Sequence, residues 1–172
     1  MWPCRPGARC ASANEIFVAR GFTLIELVVT VAIIGILAAG AMPLAEVAAQ
    51  RERESELRTA VWQIRAAIDA YKAAYVDQRI EQRVGASGYP PDLESLVKGV
   101  PDVRNPEGKR MYFLRRLPRD PFSTDPRVPA EKTWGKRSYA SPPDEPAEGK
   151  DVFDIYSKSP ATGLNGVPYR EW

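Results

Sequence analysis

The chain has 172 residues, 44% hydrophobic and 27% charged, with 24 Lys and Arg against 22 Asp and Glu. That length suits one small domain plus an extended element better than two full cores. The chain has no histidine, which excludes every Ser-His, Cys-His and His-metal catalytic scheme, and its two cysteines alone do not fill a zinc shell.

The net charge is +2, and Arg5, Arg9 and Arg20 against Glu15 account for all of it. The remainder is neutral, so nucleic acid is not expected as a partner, because phosphate binding needs a basic excess on one face. Cys4 and Cys10 lie in the same N-terminal stretch, rich in Pro, Gly and Ala and without a periodic pattern. If that stretch is removed, the remaining protein has neither disulfide nor thiol chemistry.

From Phe22 to Ala45 the sequence is almost wholly apolar, broken by a single charge at Glu26. At about 1.5 Å per residue such a run makes about 36 Å of helix, enough to cross a hydrocarbon core of about 30 Å. A secretory signal peptide cut after Ala41 is the rival, since Arg20 precedes the run and Ala39-Gly40-Ala41 has small residues. The run is longer than the usual signal core, however, and carries its carboxylate where such a core is most apolar.

Beyond Pro43 the chain turns charged at Arg51-Glu52-Arg53-Glu54, yet apolar residues recur at Leu57, Val61, Ile64, Ile68, Tyr71 and Tyr75. Those steps of three and four place six side chains on one helical stripe. The spacing predicts a helix continuing over 46–83, with Pro43 kinking rather than ending it and Glu54 pairing with Arg58 one turn on. The stripe's C-terminal half is expected to be a core face packed on a sheet.

Helix signal fades over 85–91, where Gly-Ala-Ser-Gly-Tyr-Pro-Pro is turn chemistry. Asp92 then caps a predicted short helix through Leu93, Leu96 and Val97, ended by Gly99 and Pro101. Of the 16 prolines, 13 follow residue 84, so short strands with long connections are expected: 110–114, 136–140 and 152–157, with loops over 118–133 and 141–150. The fold class is α+β, a long N-terminal helix on a small antiparallel sheet head over 84–172.

The motif that carries chemistry is Arg20-Gly21-Phe22-Thr23-Leu24-Ile25-Glu26-Leu27. It closely resembles the class III signal of type IV pilins and type II secretion pseudopilins. The resemblance implies that residues 1–21 are a leader, that a prepilin peptidase cuts between Gly21 and Phe22, and that Phe22 becomes the N-methylated first residue. Residues 22–45 would be the transmembrane and assembly half of the helix, and 46–83 its amphipathic half. A carboxylate inside an apolar span costs several kcal/mol unless it finds a partner. By the resemblance, Glu26 compensates the positive N-terminus of an adjacent subunit and sets register during assembly.

Further likeness is to the major pseudopilin of type II secretion. It is carried by Tyr89-Pro90-Pro91-Asp92-Leu93-Glu94-Ser95-Leu96, by Leu117-Pro118-Arg119-Asp120-Pro121-Phe122, by Trp134-Gly135-Lys136-Arg137-Ser138-Tyr139, and by Asp154-Ile155-Tyr156-Ser157 with the terminal Trp172. The implied function is a structural subunit of a periplasmic pseudopilus, with a type IV pilus or minor pseudopilin subunit as the close variant. The implied partners are further copies of the chain, the prepilin peptidase, an inner-membrane assembly platform and ATPase, minor pseudopilins, and membrane lipid before assembly. The implied location is the inner membrane, single-pass, with the C-terminal head in the periplasm.

One departure stands out. Major pseudopilins usually bind calcium in a loop after the last strand, as a hard cation wants six or more oxygens. Here residues 158–170 contain no acid. Calcium binding is therefore expected to be lost or weak, with Leu164, Val167, Tyr169 and Trp172 packing the tail onto the head. Within the head, 104–137 is basic and 138–172 acidic, which suggests opposite faces meeting between subunits. No catalytic residue is expected: Asp144 and Glu145 read as a solvated loop, and no phosphate loop, nucleophile elbow or metal-ligand spacing appears.

Overall fold

The computed structural model describes residues 21–105 and 107–172. Cys4, Cys10, Arg20 and the rest of the expected leader up to residue 20 lie outside the described residues. The chain divides into two compact units at Pro43 and Leu44.

Helix α1 runs over Leu24–Val76 and contains Pro43. Its start is set by Thr23, whose Oγ1 accepts the Glu26 N–H at 3.2 Å while the Thr23 carbonyl accepts the Leu27 N–H at 3.1 Å. This is the Thr-x-x-Glu arrangement that satisfies donors a helix N-terminus otherwise leaves open. All of residues 21–40 are exposed, and α1 is the one described helix long and apolar enough to cross a membrane by length and composition.

In the second unit α1 buries one face. Leu57, Val61, Ile64, Ile68 and Tyr71 of the expected stripe are buried, joined by Ala60, Ala67 and Ala74. Each large apolar side chain taken out of water this way contributes roughly 1.5–3 kcal/mol. The helix stops at Val76, short of the residue 83 expected from sequence. Gln78 turns to a positive φ of 57°, its N–H bonds to the Tyr75 carbonyl at 3.0 Å, and the Arg79 N–H reaches back to Ala74 at 2.9 Å. That is a Schellman stop built on glutamine where glycine is usual, so the residue type gave no warning. Buried Ile80 and the 2.6 Å Arg79–Asp102 ion pair hold the chain beyond it.

Helix α2 (Glu94–Lys98) follows, with the Asp92 carboxylate accepting the Ser95 N–H at 2.7 Å as its expected capping role requires. Strands β1 (Val100–Pro101) and β2 (Arg110–Met111) pair antiparallel. Helix α3 (Ala130–Thr133) leads directly into β3 (Trp134–Arg137), which pairs antiparallel with β4 (Asp154–Ser157), Trp134 opposite Ser157 and Arg137 opposite Asp154. A 3₁₀ turn over Tyr169–Glu171 closes the chain. Leu93, Leu96, Trp134, Val152, Ile155 and Tyr169 join the buried face of α1 in one core.

The strands are shorter than expected because neighbouring backbone groups bond elsewhere. Phe113 and Leu114 both donate to the Leu96 carbonyl of α2, at 3.0 and 2.9 Å, which ends β2. Tyr139 donates to the Asp151 carboxylate at 2.9 Å and Ser138 to Ala147 at 3.0 Å, which ends β3. Val152 donates to Pro90 at 2.8 Å, so β4 starts later than residue 152. Two features differ further from expectation: the head has two small sheets in place of one, and α3 occupies part of the predicted 118–133 loop.

Candidate processing and assembly site

The motif residues sit at the beginning of α1. Phe22 is 78% exposed, and Glu26 lies exposed in the first helical turn. A β-carbon added at Gly21 would meet nothing within 4 Å, and Gly21 does not have a positive φ. Packing within the chain therefore does not require glycine there. Downstream, Thr30 returns its hydroxyl to the Leu27 carbonyl at 2.9 Å, as a hydroxyl in an apolar helix does.

A second cluster, which sequence reasoning missed, ties α1 to the tail of the head. Glu54 is buried, and its Oε1 accepts the Leu164 N–H at 2.8 Å, the Tyr169 hydroxyl at 2.9 Å and the Gln50 side-chain amide at 3.1 Å. Burial pushes the Glu54 carboxyl up, but these donors and the charge of Arg58 together hold it below the usual carboxylate value. Burial, reinforced by the Glu54 charge, pushes the Tyr169 hydroxyl up. The expected Glu54–Arg58 ion pair is not formed; Arg58 instead lies over the Trp172 ring, 4.3 Å from its centre. Arg65 adds a 2.7 Å pair to Asp154 and donates to the main-chain oxygen of Trp172 at 3.0 Å. The signal available in sequence was that Glu54 precedes Leu57 by one stripe step.

The tail is ordered differently from expectation. Tyr169 is buried, stacked on Phe122 at 4.1 Å, and Trp172 meets its edge at 5.0 Å. Leu164 and Val167 stay exposed. Their backbone is what holds: Leu164 donates to Glu54, Gly163 to the Val167 carbonyl at 2.9 Å, and Tyr169 to Ala161 at 3.1 Å. Asp151 accepts from Tyr139 and Asp154 pairs with Arg65, so both acids before the loop are committed within the chain. Asp144 and Glu145 are exposed. Buried Asp120 is held by the Ser157 hydroxyl at 2.6 Å and the Phe122 N–H at 2.8 Å, a structural pair without a neighbouring base.

A long apolar helix followed by a small α+β head with antiparallel strands is a pilin-like architecture. Residues 17–42 match the family described as the prokaryotic N-terminal methylation motif, the class III signal of type IV pilin-like proteins. The match supports the pilin superfamily, whose members are structural subunits processed by a prepilin peptidase, and with the apolar helix it supports single-pass membrane anchoring. Neither a curated protein nor a solved structure matches the chain.

Proposed function

We propose that this chain is a subunit of a periplasmic pseudopilus in type II protein secretion, polymerising through α1. The observation that carries the reading is the coincidence, in register, of the methylation motif over 17–42 with a wholly exposed apolar helix starting at Leu24. An exposed apolar surface of that length needs a covering, which is lipid before assembly and other subunits' helices after it. The head then faces the periplasm from the inner membrane, and an assembly platform with its ATPase and minor pseudopilins act on the subunit.

Processing falls between Gly21 and Phe22, with N-methylation of Phe22. The open space around Gly21 supports this, because a glycine that the fold does not need is one that a peptidase can need. Glu26 then offers its carboxylate to the amino terminus of the neighbouring subunit. Its backbone N–H is already satisfied by Thr23, which leaves the carboxylate free for that role. The Lys158–Arg170 loop keeps its shape without calcium, through Glu54 and its own backbone bonds.

Co-expression with a prepilin peptidase, followed by intact mass and N-terminal peptide sequencing, tests the reading. The expected product begins at methylated Phe22 and is lost when Gly21 is replaced by a bulky residue. A product beginning at Met42, or one retaining Cys4, would overturn it. Filament formation with a type II secretion platform but not with a pilus platform separates the pseudopilin from the pilus subunit.

A further inference from the structure

The half of α1 that belongs to the head has a second face, opposite the buried one. Arg58, Trp62, Ala66, Asp69, Ala73 and Val76 follow one another at helical steps of three and four, and all six are exposed. Trp62 is 71% exposed, the largest side chain type left in water on a helix whose other face is a packed core. Asp69 has no ion-pair partner among the described residues, and Arg58 is stacked on Trp172 with its edge donors available for a carboxylate.

We propose that this face binds a second copy of the same chain, parallel to the first and displaced along the helix by eleven residues. The inference rests on the polymerising role proposed above and specifies its geometry. Eleven residues are close to three turns, about 16 Å, so the displacement keeps the same face toward the partner. It sets Trp62 of one copy over Ala73 of the next, where Ala70 and Ala73 leave a hollow beside Val76. The same displacement sets Arg58 beside Asp69, so both a shape match and a charge match fall at a single offset. Small residues opposite a large one allow helices to approach to the 8–10 Å of ordinary packing. A contact that joins different parts of the same face through a displacement does not close on itself, and repetition of it builds a filament.

The test uses the full chain with Cys4 and Cys10 replaced by Ser, co-expressed with the peptidase and assembly platform. The double variant W62C/A73C is then oxidised and run without reductant. Within one copy the two positions are about 16 Å apart, far beyond the roughly 7 Å between α-carbons that a disulfide can bridge. Any disulfide between positions 62 and 73 therefore joins two copies. A ladder of covalent multimers, absent from W62C and A73C alone, is the expected result. As a second readout, Asp69→Arg is expected to abolish filaments and R58D/D69R to restore them. Wild-type filaments combined with no ladder and no rescue would overturn this contact and leave the proposed function standing. Links to a different pilin-type subunit would overturn the self-contact, and absence of wild-type filaments would overturn both proposals.

Discussion

Glu54 carries more of the head's cohesion than its place in a run of alternating charges suggests. Three donors converge on one of its oxygens, two of them from the tail more than a hundred residues away. Replacing Glu54 by Ala leaves the Leu164 N–H and the Tyr169 hydroxyl without their acceptor, a loss of roughly 1–3 kcal/mol for buried groups of this kind. Thermal melts of the detergent-solubilised chain, followed by near-ultraviolet circular dichroism of Tyr169 and Trp172, read this directly. The pH dependence has a definite sign. Because the folded pKa is depressed, the Glu54 contribution is present above the unfolded value of about 4.3 and is lost as pH falls through the folded one. Glu54→Gln keeps an acceptor oxygen but does not titrate, so its melting temperature is expected to fall less than wild type's between about pH 5 and pH 3.

At the scale of elements, the stop of α1 is the feature least visible beforehand. Propensity and periodicity allow the helix to continue past Val76, and only the backbone bonds of Gln78 and Arg79 show where it ends. A non-glycine residue at φ 57° is strained by its own β-carbon, so Gln78→Gly is expected to raise stability by about 0.5–1 kcal/mol, seen as a higher urea midpoint. An unchanged or lower midpoint would show that the glutamine is not strained there. The strands were placed near the right residues because β-branched and aromatic residues cluster there, but their ends depended on carbonyls of α2, Pro90 and Ala147 that no local pattern announces. Gly135 in β3 is a related case: a β-carbon there would lie 2.3 Å from the Tyr156 ring, so that glycine is required by a partner strand.

For the whole molecule, processing, assembly and metal dependence can be separated. Glu26→Gln leaves the apolar span and the cleavage motif in place, so membrane insertion and removal of residues 1–21 are expected to persist while filament yield falls. The measurement is the ratio of processed subunit in sheared filaments to that in membranes, and equal ratios for variant and wild type would rule out an assembly role. The tail is expected to melt at the same temperature in millimolar calcium and in chelator, because the Glu54 carboxylate and the loop's own carbonyls close it. A calcium-dependent rise of several degrees in the melting temperature would refute that.

The sequence by itself determined what depends on local pattern. The apolar run after Gly21, the Thr-x-x-Glu start of α1, the buried stripe from Leu57 to Tyr71 and the α+β class all follow from residue type and spacing along one chain segment. The tertiary structure alone decided which polar groups meet across long separations. It turned Glu54 from a surface charge into a buried acceptor, moved Arg58 onto Trp172, left Leu164 and Val167 in water and ended the strands early. The physical reason is that apolar periodicity records which face of an element is dry, whereas a hydrogen bond depends on the position of two groups that only the completed fold brings within 3 Å.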